Sequence, residues 1–189
     1  RSVGNSTTLF ETGLVEAFNL KCAIEYDMGN FTAAKEALSD MPPRKEQELV
    51  AVTLHNLALL SDPSTGFKKL NFLLSNPPFP PETFGNLLLL HCKHGYPGVA
   101  ADILAENSHL TYKFLSVELF DYLDATILVG TSPEEAFKKY DDLTSKHIEQ
   151  LRKLLGGLLV GQAKAGDVVA NGAAEALRFV ARQPHPARE

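Results

Sequence analysis

The chain has 189 residues, enough for one domain or a short array of repeats, and its 44% hydrophobic and 22% charged content is that of a packed rather than a disordered protein. A net charge of −5 leaves no basic footprint for nucleic acid. Two cysteines, Cys22 and Cys92, argue against a disulfide framework and fit a reducing, intracellular setting. No apolar run approaches the roughly 18–20 residues that span a bilayer, so no membrane insertion is expected. There is no charged-then-apolar leader, and the opening at Arg1 reads as a piece of something longer.

In chain order, Thr12 to Met28 holds no proline and carries Leu14, Ala17 and Phe18 at helical spacing. Gly29-Asn30 ends that helix, and Phe31 to Met41 predicts a shorter one with Ala34 and Leu38 on one face. After Pro42-Pro43, the charged start Lys45-Glu46-Gln47-Glu48 leads into an apolar run from Leu49 to Leu60. Asp62-Pro63-Ser64 reads as a turn and Phe67 to Leu74 as a short apolar helix. The segment Asn76-Pro77-Pro78-Phe79-Pro80-Pro81 cannot be helix interior, because proline lacks the N–H and clashes with the preceding turn. Pro81 and Glu82 instead launch a helix, proline at its first position and an anion at its positive end. That helix is expected to run to about His94, where Gly95-Tyr96-Pro97-Gly98 stops it. Val99 to Glu106 is the next short helix. Thr111 to Val129 reads as one long apolar helix, and Glu134 to Leu155 as another after the Gly130-Thr131-Ser132-Pro133 break.

The pattern is long helix, tight turn, short helix, four times over. The small or apolar residue early in each second helix is Ala34, Leu70, Ala100 and Ala136, at intervals of 36, 30 and 36. Their mean is the tetratricopeptide period of about 34 residues. Large apolar residues stand sixteen before each anchor (Phe18, Leu54, Phe84, Phe120), and Leu38, Leu74, Leu104 and Tyr140 stand four after. Gly29, Thr65, Gly95 and Thr131 form a turn column five before. The motif's small residue, twelve before, is Cys22, Ala58, Leu88 and Asp124, so only two are small. A helical bundle with coincidental spacing is the plainer reading, and the packing columns weigh against it. The fold class is therefore all-α, a right-handed tetratricopeptide α-solenoid with a concave groove. Its repeats fall at about 15–44, 51–78, 81–108 and 117–150, within an array over 1–155. Residues 156–189 form a Gly/Ala-rich tail, partly helical or disordered, in which Gly156-Gly157, Gly161, Gly166 and Gly172 each cost a helix about 1 kcal/mol.

Chemistry-bearing clusters are few. His91-Cys92-Lys93-His94 sets three metal-ligating side chains together, but a zinc site needs four in two spaced pairs, so no metal is assigned. Neither cysteine has a partnered base, and Asp121, Asp124, Asp141 and Asp142 fit solvated helix faces better than acid/base pairs. No glycine-rich phosphate loop is present. The chain reads as no enzyme and implies no cofactor. A clamp for a C-terminal carboxylate, used by some tetratricopeptide domains, would need Lys and Arg beside its asparagines. Asn56 stands at one clamp position, but Asn19, Ala23, Glu82 and Asn86 occupy the others, which disfavours a generic chaperone adaptor. The groove-facing candidates on the first helices are His55, Asn56, Leu59, Gly85, Asn86, Leu89, Asp121 and Ala125. This is a neutral, partly apolar lining suited to an extended apolar or proline-rich peptide. The plainer alternative is that Leu59 and Leu89 pack against neighbouring helices.

Longer runs carry a resemblance. Arg1-Ser2-Val3-Gly4-Asn5, Leu14 to Lys21, and Asp40-Met41-Pro42-Pro43-Arg44 are similar to the fleer family, as are Phe79 to Leu90, Ala100 to Asn107, Pro133 to Phe137 and Glu149 to Arg152. That family is the seventy-kilodalton tetratricopeptide subunit of intraflagellar transport complex B. The resemblance covers about Arg1 to Leu154 and is expected to end beyond Leu155. It implies a non-catalytic scaffold at the cilium or flagellum and basal body, within the cytoplasm. It further implies a superhelix closed around a proline-rich segment of the fifty-two-kilodalton complex-B core subunit. Cilium assembly, motility of the anterograde kinesin and polyglutamylation of axonemal tubulin come with it, as do no nucleic acid and no membrane insertion.

Overall fold

The computed structural model describes residues 11–42 and 45–159. Among them are nine α-helices, a 3-10 turn at Glu46–Glu48 and no strand. The helices are α1 (Leu14–Asp27), α2 (Phe31–Ser39), α3 (Ala51–Leu60), α4 (Pro63–Ser75), α5 (Glu82–Lys93), α6 (Pro97–Glu106), α7 (Ser108–Phe114), α8 (Val117–Leu128) and α9 (Pro133–Leu159). The fold is all-α and of the tetratricopeptide-like solenoid type, with successive helices paired across tight turns. The chain divides into two compact units, one ending at Leu90 and the other beginning at His91.

In the first unit α1 packs on α2, α3 packs on α4, and α3 also meets both helices of the preceding pair. Val15 and Cys22 of α1, Ala34, Ala37 and Leu38 of α2, with Met41 and Leu60, form a buried cluster against which Phe18, Tyr26, Val50 and Leu57 lean. Burial pushes the Cys22 thiol up to about 11, so this side chain is a small core hydrophobe rather than a nucleophile. The α1–α2 turn closes on Gly29, whose φ of 80° is open to glycine at no steric cost. Its N–H donates to the Tyr26 carbonyl and that of Asn30 to the Glu25 carbonyl, the nested bonds that end a helix on a left-handed residue. Helix α4 begins four residues before the expected Phe67. Asp62 caps it by accepting from the Thr65 N–H at 2.9 Å, and Pro63 takes the first helical position, where its missing N–H costs nothing. The proline joint leads into α5 at Glu82, one residue later than expected, with the Thr83 N–H bonded to the Pro80 carbonyl.

In the second unit α6 packs on α7 and α8, and α8 on α9. Ala100, Leu119, Leu123, Ala125, Ala136 and Leu143 are buried. The single long helix expected over Thr111 to Val129 is two. Leu115 and Ser116 are extended, and Ser116 restarts the chain as α8 by accepting the Leu119 N–H on its Oγ. Helix α9 continues past the expected end at Leu155, through Gly156 and Gly157, to Leu159. A helical glycine costs stability without breaking the bond ladder, so the pair weakens the last turn rather than ending it. The rest of the expected tail, residues 160–189, lies outside the described residues, as do Pro43 and Arg44 of the Pro42-Pro43 joint.

Three of the four anchors of the 34-residue period are wholly buried: Ala34, Leu70 and Ala100. Ala136 is 2% exposed. Each sits where its helix meets a neighbour, which is why the column tolerates only small or apolar side chains.

Candidate functional site

A polar seam crosses the first unit from α1 to α3 to α5. Helix α1 buries Asn19 beside Val15 and Cys22, and its Nδ2 donates both to the Val15 carbonyl and, at 2.8 Å, to Thr53 Oγ1 on α3. Asn56, one turn after Thr53, donates to Asn19 Oδ1 at 3.0 Å. Helix α3 thus grips α1 through both ends of one carboxamide. On its other side, His55 reaches α5, with Nδ1 3.1 Å from Thr83 Oγ1 and Nε2 3.1 Å from Asn86 Nδ2. An amide nitrogen can only donate, so Nε2 is the acceptor, and the ring proton sits on Nδ1 and is donated to Thr83. That is a neutral imidazole, as its burial requires. Burial lowers the His55 pKa to about 4 against a smaller opposing pull from Glu82.

Each bond of such a seam contributes about 1 kcal/mol net, and an orphaned partner costs about 1–3 kcal/mol. The larger figure governs here, because Asn19, Thr53, His55 and Thr83 are all buried. The seam therefore fixes the register of three helices more than it adds attraction.

The expected groove residues fall into two groups. His55, Gly85, Leu89 and Ala125 are buried within their own units, so packing claims them, Leu89 among them. Asn56, Leu59 and Asn86 in the first unit and Asp121 in the second stay half-buried and reach solvent. On α3, exposed Val52 lies one turn before Asn56, and Leu59 follows one turn later, so an apolar–amide–apolar strip shares one face. Asn86 borders it from α5 through His55. This face is neutral and offers carboxamides flanked by aliphatic surface, which can take up main-chain N–H and C=O groups and apolar side chains without needing a charge. In the second unit Asp121 lies 3.9 Å from the Lys146 ammonium, and Asp124 accepts from Lys139 at 2.8 Å, so both carboxylates are spent on tying α8 to α9. Tyr140 of α9 adds a hydroxyl bond to Thr126, which itself donates to the Tyr122 carbonyl.

Sequence reasoning passed over Thr53 and Thr83. The signal was present: Thr53-Leu54-His55-Asn56 and Thr83-Phe84-Gly85-Asn86 repeat one T-x-x-N pattern inside otherwise apolar helices.

Around His91, the ring meets Tyr96 edge-on at 6.4 Å, and burial pushes the Cys92 thiol up to about 11. Burial also lowers the pKa of His91 and of His94. Among the described residues no three His, Cys, Asp or Glu side chains gather as a metal site, and no helix is long and apolar enough to cross a membrane.

Residues 83–174 match the family model described as the intraflagellar transport protein 70 C-terminal domain. The match runs past Leu155, where the resemblance was expected to stop, so the Gly/Ala-rich stretch begins inside the family's own domain. Intraflagellar transport protein 70A of Xenopus tropicalis is 62% identical over 157 residues, 82% of this chain and 24% of that protein. Intraflagellar transport protein 70A2 of Rattus norvegicus and 70B of Mus musculus are each 63% identical over the same shares. The chain thus spans about a quarter of the length of the curated relatives it matches. With identity this high across both of its helical units, the chain belongs to the intraflagellar transport protein 70 family.

Proposed function

We propose that this chain is a non-catalytic scaffold segment of the intraflagellar transport machinery, acting at the cilium, and that its first unit holds an extended, proline-rich segment of another complex-B core subunit. The 62% identity to proteins named for intraflagellar transport carries the first half of this reading. The neutral strip Val52–Asn56–Leu59, bordered by Asn86, supports the second. A proline-rich partner is pre-extended and loses little entropy on docking, and its carbonyls, unpaired within its own chain, match carboxamide donors. The preferred partner is the fifty-two-kilodalton core subunit. The repeats fall at about 15–44, 51–78, 81–108 and 117–150. Cilium assembly, the anterograde kinesin and tubulin polyglutamylation are served through the assembly rather than by chemistry at this chain.

Co-purification tests the reading. The full chain, co-expressed with the proline-rich segment of that subunit, is expected to retain it through size exclusion, and Val52→Asp, at an exposed strip position outside the buried seam, should weaken retention by setting a carboxylate against partner carbonyls. Separation of the two chains at micromolar concentration contradicts it.

A further inference from the structure

The two half-buried carboxamides of the first unit hold equivalent places on α3 and α5. Thr53 and Asn56 of α3 bracket Asn19 of α1, and Thr83 and Asn86 of α5 bracket His55 of α3 in the same way. In both brackets the carboxamide nitrogen turns inward. Asn56 Nδ2 donates to Asn19 Oδ1 at 3.0 Å, and Asn86 Nδ2 to His55 Nε2 at 3.1 Å. Each Oδ1 is left over. Among the described residues neither oxygen has a hydrogen-bond partner, and neither is a buried unpaired atom, so both meet solvent.

A carboxamide oxygen only accepts, so these two places seek N–H groups. The second hydrogen on each Nδ2 can still take a carbonyl, but every residue offers a carbonyl, whereas proline alone offers no N–H. The oxygens are therefore the atoms that discriminate. Neighbouring packed helices stand about 8–10 Å apart, and a polyproline-II chain advances about 9 Å in each three-residue turn. A chain laid across α3 and α5 thus brings the main-chain groups of residues i and i+3 to Asn56 and Asn86 in the same orientation. On α1 the equivalent place belongs to Leu20, which follows Asn19 as Asn56 follows His55, and its exposed side chain offers no acceptor. We propose that Asn56 and Asn86 select non-proline residues at two positions three apart in the extended segment, each residue donating its N–H to one Oδ1. The selection rests on the Val52–Asn56–Leu59 strip holding that segment, and adds a rule for the partner: non-proline at i and i+3, with proline free to fill the two places between.

Amide-to-ester scanning of the proline-rich segment of the fifty-two-kilodalton core subunit tests the rule, because each ester deletes one N–H and keeps every side chain. Titration of the full chain with each ester is expected to show roughly tenfold weaker binding at two positions three apart, and little change elsewhere. Proline at either position, which keeps the amide carbonyls, should weaken binding alike. Asn86→Ala, checked for folding by circular dichroism, should erase the loss at one of the two positions and keep it at the other. A parent segment that binds while its esters all bind alike, or while the sensitive positions lie at another spacing, overturns the rule and leaves the strip as the docking site. Proline tolerated at both positions, or both losses surviving Asn86→Ala, does the same. A parent segment that fails to bind removes the strip together with the rule.

Discussion

Asn56 on α3 donates to Asn19 on α1 at 3.0 Å, across 37 residues of sequence, while Thr53 accepts from the same Asn19. One buried carboxamide is thus held by two residues of the neighbouring helix pair. Asn19→Leu keeps the volume and removes both partners. It is expected to lower stability by about 2–3 kcal/mol, because Thr53 is buried and would lose its donor. Thr53→Val in the same background should recover part of the loss, since it removes the buried Thr53 orphan and leaves only the half-buried Asn56 amide without its acceptor. Denaturant midpoints of the two variants check this.

Acid should loosen the first unit through His55. Its pKa is depressed on folding, so the unfolded chain binds the extra proton first. The stability held by the neutral ring is full above about pH 6.5 and is lost as pH falls toward 4. Between these limits one proton taken up on unfolding gives a slope of about 1.4 kcal/mol per pH unit, and about 3 kcal/mol across the window. His55→Gln, which keeps an acceptor toward Asn86, should flatten that slope without touching the behaviour above pH 7. Urea unfolding at pH 7.5, 6 and 5 would show it.

Gly66 is where α4 presses hardest on α3. A Cβ there would stand 2.8 Å from the Ala58 backbone carbonyl, which cannot swing aside as a side-chain tip could. Gly66→Ala, favourable by helix propensity alone, is therefore expected to destabilise by about 1–3 kcal/mol. Gly98, in α6 with open space around it, is the control: Gly98→Ala should be neutral or stabilising.

The break between α7 and α8 depends on one hydroxyl. Ser116→Ala removes the acceptor for the Leu119 N–H and should cost about 1 kcal/mol in the second unit, with hydrogen exchange rising first at Val117 to Leu119. Ser116→Asp should preserve the cap.

These positions also show what sequence reasoning could reach. Helix pairing was readable because its determinants are local and repeated. Gly29 and Gly95 share a turn column and both take a φ near 80°, and Ala34, Leu70, Ala100 and Ala136 share a packing column and are all buried. The Ser116 break was missed because apolar periodicity runs on through Leu115, although serine followed by Glu118 in the first turn was a cap signal in plain view. Which side of a first helix faces solvent was harder. His55 and Leu89 were read as lining a groove, yet both are buried, and for His55 that depends on Thr83 and Asn86 of α5, 28 and 31 residues away. Asn56 and Asn86 remain accessible because each is tied by only one end of its amide to the seam.

The central claim is that the first unit takes up an extended proline-rich segment along Val52, Asn56, Leu59 and Asn86. Isothermal titration of the full chain with that segment of the fifty-two-kilodalton core subunit, repeated at several temperatures, tests it most directly. Saturable one-to-one binding with a large negative heat-capacity change, weakened by Val52→Asp and unaffected by Leu151→Glu at an exposed position of the second unit, is the expected result. Absence of heat at every temperature, or binding that Val52→Asp leaves untouched, would contradict it.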